Sequence, residues 1–221
     1  MPKCSVITAI YNSSKFLDKC LLALSCQTEK DFELIISDDG SDEDISDLLE
    51  KYNKFFKYQI KYVKQQRNGI RKTLALNKGV LQATSDYLLF IDPDCLAEPT
   101  WVETHLLERE KNRYLIGRRV SFREKYMKYI NDDFIKSAKF CKLNFFNIWQ
   151  ASIGNIKHFE KMLKFNNKLI RYIIHFKKST YIVGCNFSCW RADFEKINGY
   201  NNEMAGLGGE DVELHIRFQK N

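Results

Sequence analysis

A doubly wound α/β domain with a mostly parallel sheet, interrupted by a basic helical insertion, is the fold class this sequence predicts. Three observations carry that expectation. Short apolar runs alternate with stretches of helical periodicity as far as about residue 122. One run, Tyr87-Leu88-Leu89-Phe90-Ile91, is apolar at every position, as expected of a strand covered on both faces in the middle of a parallel sheet. The acidic pairs Asp38-Asp39 and Asp92/Asp94 follow such runs, and the carboxyl edge of an open α/β sheet is where ligands bind.

Residues 4–10 read as the first strand. Tyr11-Asn12-Ser13-Ser14 turns and offers N-cap side chains, and Leu17, Cys20, Leu21 and Leu24 then recur at helical spacing. Residues 32–37 form a second strand ending in Asp38-Asp39-Gly40-Ser41, followed by Ile45, Leu48, Leu49 and Tyr52 at helical spacing. A third, more exposed strand is expected over 58–63 and a helix over 71–83. Pro93 cannot extend a central ladder, so the strand that begins at Tyr87 stops near Ile91. Trp101, Val102 and Leu106 mark another helix, and residues 114–122 another strand. Strands alternating with helices of this length define the α/β class.

The pattern changes at about Arg123. Residues 123–178 hold 13 basic residues against 4 acidic ones, which is more than enough to account for the +7 of the whole 221-residue chain. Phe140, Phe145, Phe146, Trp149, Phe159, Phe165, Tyr172 and Phe176 are interleaved with the lysines. Two readings stand: docking on an anionic bilayer or a lipid-linked acceptor, or a solvated helical subdomain whose aromatics pack on the main sheet. No nucleic-acid-binding motif supports a third. The expected division is therefore 1–122, an α/β half; 123–178, the insertion; and 179–221, a C-terminal part completing one structural domain.

Composition narrows the class. Apolar residues make up 44% of the chain, enough for a sizeable core. No secretory signal and no apolar window of spanning length are visible. Cysteines 4, 20, 26, 95, 141, 185 and 189 show no zinc-type spacing and read as reduced thiols of a cytoplasmic protein. The four histidines show no metal-site spacing, and phosphate-loop and dinucleotide glycine motifs are absent.

After a probable strand over 181–190 and a short helix over 192–197 comes Met204-Ala205-Gly206-Leu207-Gly208-Gly209-Glu210-Asp211. The glycines allow close backbone approach to a ligand. Val212, Leu214, Ile216 and Phe218 resume helical spacing, which sets Glu210 and Asp211 at a helix N-terminus, where negative charge is stabilised. Three acidic sites can thus face one crevice. Paired carboxylates suit a hard cation bridging to phosphates, and a separate carboxylate suits a general base.

Ser5-Val6-Ile7-Thr8-Ala9-Ile10-Tyr11-Asn12, Gln27-Thr28 with Phe32-Glu33-Leu34-Ile35, Asp38-Asp39-Gly40-Ser41 and Asp92-Pro93-Asp94 together resemble glycosyltransferase family 2, which has a nucleotide-sugar-binding fold of the A type. Gly184-Cys185-Asn186-Phe187-Ser188 and the 206–211 stretch resemble the C-terminal module of galactosyltransferase-like enzymes. Gly69-Ile70-Arg71-Lys72 with Asn77, and Gly117-Arg118-Arg119-Val120, look like bacterial members that build lipopolysaccharide or capsule.

The resemblance implies an inverting transferase with a UDP-sugar donor and a glycan or lipid-linked acceptor, peripheral on the inner face of the cytoplasmic membrane. Thr8, Ala9 and Tyr11 would line the uracil pocket, with Asp39 accepting from the imide beside Asp38. Arg71 would contact the nucleotide, Asp92 would lie near the ribose or sugar, and Asp94, with Asp92, would hold Mn²⁺ or Mg²⁺ on the diphosphate. Asp211 would be the base, Glu210 would bind a sugar, and Asn186, Gly208 and Gly209 would shape the sugar pocket. The family's usual aromatic is replaced at Leu207, and an arginine at Leu76. Relatives continue past Asn221 and supply a later histidine ligand, so the expectation is either a truncated chain or a metal held mainly by Asp94 and phosphate. The alternatives are a catalytically incomplete nucleotide-sugar or glycan-binding module, or a basic scaffold for membrane or nucleic acid.

Overall fold

The computed structural model describes residues 1–163, 181–206 and 208–220. Phe165, Tyr172, Phe176, His175, Leu207 and Asn221 lie outside the described residues. The chain divides into two compact units, Met1–Gly117 with Ile182–Asn221, and Arg118–Tyr181.

The first unit holds a six-stranded sheet built from β1 (Cys4–Ile10), β2 (Phe32–Asp38), β3 (Lys61–Lys64), β4 (Tyr87–Phe90), β5 (Leu115–Ile116) and β8 (Phe187–Trp190) in the order β3-β2-β1-β4-β8-β5. β1 pairs in parallel with β2 and β4, so Ile7 lies opposite both Ile35 and Phe90. β2 and β3 are parallel, whereas β8 runs antiparallel to β4 and to β5. The chain winds outward from β1 through β2 to β3, then returns to place β4 on the other side of β1. The carboxyl ends of β1 and β4 therefore flank a topological switch point, where connections leave in opposite directions and open a crevice.

The uniform apolarity that marked these strands is the physical reason they are central. β1, β2 and β4 are buried at every position. Each strand's alternate side chains enter opposite layers. One layer joins Ile7, Ala9, Ile35 and Phe90 to Ala75, Leu76 and Val80 of α3 (Lys72–Leu81). Phe90 stacks on Phe187 across the antiparallel β4–β8 pair at 4.4 Å between ring centroids. The helical spacing after β1 forms α1 (Ser14–Ser25), with Leu17, Cys20, Leu21 and Leu24 buried. α2 (Ser46–Asn53) and α4 (Trp101–Glu108) follow β2 and β4. Seating α3 needs Gly79, because a Cβ there would stand 2.8 Å from the Ile7 Cγ2 methyl.

Three strand expectations change. The run at 58–63 is extended only from Lys61, because Asn53 Oδ1 accepts from Ile60 N–H and Tyr58 turns its hydroxyl to Asp31. The run at 114–122 splits at Gly117 into β5, which pairs with β8, and β6 (Ser121–Phe122), which pairs with β7 (Ile156–Lys157). The run at 181–190 is a strand only in β8, since Asn186 N–H bonds back to Val183 in a turn.

The second unit contains β6 and β7, α5 (Glu124–Met127), α6 (Asp132–Lys136) and α7 (Phe145–Ser152), so the insertion is not wholly helical. Its own centre is Tyr126, Ile130, Ile135, Phe140 and Ile156, all buried, with Tyr126 stacked on Phe122 at 4.6 Å. The expected break at residue 122 would cut this unit, because Phe122 pairs with Ile156 inside it. In the first unit, α8 (Arg191–Lys196) and α9 (Glu210–Lys220) complete the fold.

Gly79→Val should lower the unfolding free energy by about 1–3 kcal/mol, the usual cost of overpacking, measured by urea denaturation. Wild-type stability in that variant would show that α3 can lift from β1 without loss.

Candidate active site

The end of β2 builds the first half of the crevice. Asp39 is buried, and three donors from the segment after β3 converge on its carboxylate: Gln65 Nε2 at 2.6 Å, Arg71 N–H at 2.8 Å and an Arg67 guanidinium nitrogen at 3.1 Å. A carboxylate offers about four acceptor positions, so roughly one is left to accept from a ligand. Gly40 adopts φ +82°, and a Cβ there would meet the Arg67 backbone at 2.7 Å; only glycine lets the two loops approach this closely. The Arg67 guanidinium lies 3.7 Å from the centroid of the half-exposed Tyr11 ring, a cation–π contact. Asn12 ties the two loops together: its N–H donates to Ser41 Oγ and its Oδ1 accepts from Asp42 N–H.

Asp38 has a different place from the one expected. It is fully buried; Oδ1 accepts from Ser41 N–H and Ser41 Oγ, and Oδ2 from the Tyr62 hydroxyl. It shapes the turn that presents Asp39 and shows no surface to a ligand. Thr8 is likewise inside the sheet at full burial, and Ala9 belongs to the core layer under α3. Of the three residues expected to line a base pocket, Tyr11 alone is exposed, because strand alternation sends both β1 side chains into the two buried layers.

The end of β4 builds the second half. Asp92 closes a tight turn through Cys95 N–H to its carbonyl, leaving Asp94 exposed. Lys72, in the first turn of α3, brings Nζ to 2.8 Å from Asp92 and 3.7 Å from Glu210. Burial works against the lysine's charge, but Asp92, with Asp211 and Glu210, raises its pKa above the ordinary value. Asp211 begins α9 beside Glu210. Its Oδ2 accepts from Gly184 N–H at 2.8 Å, while Oδ1 is buried with no hydrogen-bond partner among the described residues. Burial pushes this carboxyl above the ordinary aspartate range against the opposing Gly184 N–H and Lys72. Gly184 has no room for a side chain, since a Cβ would fall 2.3 Å from Asp211 Oδ1.

Asn186 stands on the turn before β8. Its Oδ1 accepts from Trp101 Nε1 at 2.8 Å and His105 Nε2 at 3.1 Å. Because an amide oxygen only accepts, His105 carries its proton on Nε2, and Nδ1 accepts from Ser188 Oγ at 2.6 Å. Tyr87 then donates to Ser188 at 2.7 Å. Burial pushes His105 down to about 4, which keeps it neutral. Gly208 and Gly209 are exposed, with φ +96° and +88°, and lead into α9.

Gln65, Arg67 and His105 were not singled out from sequence, and Lys72 was named only within a resemblance, with no role. Lys72 and Arg67 look there like ordinary surface cations between two elements. The one available signal was proximity to Arg71 in the loop before a helix. Asn77, known there only from a resemblance, proves to anchor the C-terminal loop: it donates to the Tyr200 carbonyl and accepts Tyr200 N–H. For a metal, the carboxylates Asp92 and Asp94 are the all-oxygen donor set a hard cation takes. Among the described residues, no group of three or more His, Cys, Asp or Glu is placed to hold one.

A sheet with β1 and β4 flanking a switch point and acidic loops at its carboxyl edge places the protein among doubly wound α/β proteins that bind ligands at that edge. The chain belongs to glycosyl transferase family 2, whose model matches residues 5–197. It is 29% identical to chondroitin synthase of Pasteurella multocida over 97% of this chain and 22% of that protein. Its fold is that of the A-type glycosyltransferases. It matches S. aureus TarS 1-349 in complex with UDP at a TM-score of 0.61 and 17% identity, covering 98% of this chain and 54% of that one. It matches the mannosyltransferase PcManGT of Pyrobaculum calidifontis, in complex with GDP-Man and Mn²⁺, at 0.59 and 15%, covering 98% and 52%. The chain thus spans less than a quarter of that synthase and about half of each solved chain. Among the described residues, no helix is long and apolar enough to cross a membrane.

The depressed His105 pKa makes stability depend on pH. The unfolded chain takes up a proton near 6.5 and the folded chain near 4, so between these values protonation favours unfolding, and stability falls as pH drops from 6.5 to 4. The expected loss from this group is about 3 kcal/mol. His105→Gln should flatten that part of a pH series of urea melts; an unchanged slope would mean that other groups produce it.

Proposed function

We propose that the protein transfers a hexosyl or N-acetylhexosaminyl group, with inversion, from a UDP-sugar to a glycan or lipid-linked acceptor in bacterial cell-surface polysaccharide synthesis. The observation that carries this reading is Asp211: one carboxylate oxygen is fixed by Gly184 N–H and the other is buried with no hydrogen-bond partner among the described residues, with Lys72 and Asp92 acting on its charge. A carboxylate so oriented, with its pKa raised above the ordinary aspartate value by burial, suits a general base.

In this reading the acceptor hydroxyl gives its proton to Asp211 Oδ1 as its oxygen bonds to the anomeric carbon. The bond from that carbon to the diphosphate oxygen breaks on the opposite side, which inverts the centre. Tyr11, with Arg67 against its ring, stacks on the uracil, and the remaining acceptor position of Asp39 takes the imide N–H. The Arg71 side chain, whose Nε is buried with no partner among the described residues, is the nearest candidate for the diphosphate. Glu210 and Asn186 bind sugar hydroxyls, and Gly208 and Gly209 let backbone come close to the sugar. Asp94 and Asp92 would hold Mn²⁺ or Mg²⁺, which when bound supplies charge neutralisation for the departing diphosphate. Lys72 supplies positive charge to Asp92 and Glu210. The nucleotide-bound proteins of similar fold support a nucleotide donor, and the reading includes a peripheral station at the inner face of the cytoplasmic membrane.

Two measurements test this. Calorimetric titration of UDP should show binding that strengthens with Mn²⁺ in the wild type and loses that enhancement in Asp94→Asn. Absence of UDP binding under any metal condition would overturn the donor assignment. In a donor-sugar screen, Asp211→Asn should bind UDP as the wild type does and lose about 10²–10⁴-fold in transfer rate; full turnover in that variant would remove Asp211 from the mechanism.

A further inference from the structure

The helix α7 in the second unit packs Phe146 inward against Tyr126, Tyr129 and Phe134 but turns a second apolar face outward. Phe145, Ile148, Trp149 and the following Ile153 recur at the spacing of one helical face, and that face is outward: Phe145 is 87% exposed and Trp149 48%. The opposite face carries Asn147 and Gln150, which are 0% and 1% exposed. A soluble helix ordinarily has the reverse arrangement.

This orientation is held by specific bonds. Asn147 Oδ1 accepts from the buried Tyr126 hydroxyl at 2.6 Å, and its Nδ2 donates to the carbonyls of Lys139 and Lys142, both at 2.8 Å. Gln150 Oε1 accepts from Asn155 Nδ2 at 2.7 Å, and Asn144 caps the helix by accepting Asn147 N–H. Rolling the helix to bury Phe145 and Trp149 would break all of the Asn147 side-chain bonds and strand the Tyr126 hydroxyl. The fold therefore commits the apolar face to the outside, with Leu143 beside it half-exposed.

The charge around this face identifies the occupant. From Phe134 to Phe159 the chain holds Lys136, Lys139, Lys142 and Lys157, all exposed, and no acidic residue. Exposed Asp132, Asp133 and Glu160 stand just outside that stretch, but lysines and arginines outnumber acids 13 to 4 over residues 123–178, so a protruding Phe, Ile and Trp in this basic segment are complementary to a negatively charged lipid surface. The aromatic and aliphatic side chains enter the headgroup boundary while the lysines meet anionic headgroups. We propose that α7, with Leu143 and the lysines of 136–157, is an interfacial docking element for an anionic bilayer. This gives the peripheral-membrane part of the reading above a surface, and rests on no part of the donor chemistry.

The test is flotation of the full chain with phosphatidylcholine vesicles, alone or mixed with phosphatidylglycerol in roughly equal parts. The wild type should float with the anionic vesicles, less at high salt, and not with phosphatidylcholine alone. Trp149 emission should shift to the blue on binding. Phe145→Ser with Trp149→Ser should weaken partitioning by about tenfold or more, and Lys136→Glu with Lys139→Glu should abolish the preference for anionic lipid. Both double variants alter exposed side chains and should keep wild-type urea melts and UDP titrations, which separates failure here from failure of the donor site. Three outcomes would overturn the proposal: no flotation of the wild type, equal flotation of the variants, or concentration-dependent self-association that Phe145→Ser with Trp149→Ser removes, which would assign the face to a second copy of the chain.

Discussion

Acidic side chains gathered at one edge of a sheet repel one another, and that edge holds together only if the repulsion is answered from within. Two groups of contacts do this. The Asp39 carboxylate is answered by Gln65, Arg67 and the Arg71 N–H, all from the segment after β3. Asp92 and Glu210 are answered by one ammonium, Lys72, which α3 delivers between them. A buried carboxylate without a partner is costly, so these cations and donors come as a set with the acids. One segment, residues 65–72, supplies both groups and so links the two halves of the crevice.

The same segment anchors the C-terminal part of the chain. Ile70 accepts Gly206 N–H, Thr73 donates to the Met204 carbonyl and Asn77 clasps Tyr200, so the loop carrying Gly206, Gly208 and Gly209 is tied to α3 before it enters α9. The orientation of Asp211 follows from two further constraints: the first turn of α9, and the Gly184 N–H presented by the turn before β8. The His105–Ser188–Tyr87 network sets the tautomer that steadies Asn186 in that turn. Residues that would touch substrates in the proposed mechanism are therefore held by ones that would not, an arrangement that preorganised sites require.

The second unit departs from the ordinary partition of polar and apolar residues. Tyr126 needs a partner for a buried hydroxyl, and Asn147 provides it while closing two backbone carbonyls of the preceding loop. Satisfying those polar groups turns α7 so that Phe145, Ile148 and Trp149 face outward. The polar network and the exposed apolar face are one design decision seen from two sides.

Much of the fold could be read from sequence, because burial on both faces leaves a local signature. The apolar runs at β1, β2 and β4, the helical spacing of α1 and α3, and the acidic loops at Asp38-Asp39, Asp92/Asp94 and Glu210-Asp211 were all visible, and the motif order pointed to the family. Short edge elements were not, since the split at Gly117 depends on contact with Asn186, far away in the chain. Nor could periodicity separate Asp38 from Asp39, or Thr8 from Tyr11: adjacent residues look alike until tertiary structure buries one and presents the other. Lys72 gained its place in the same way, because its partners Asp92 and Glu210 come from β4 and α9. The sequence by itself determined the central strands β1, β2 and β4, the helices α1 and α3 and which loops carry acid. Only the tertiary structure decided which of those acids are already bonded, which cation answers them and which way α7 faces, because each depends on donors brought together from distant parts of the chain.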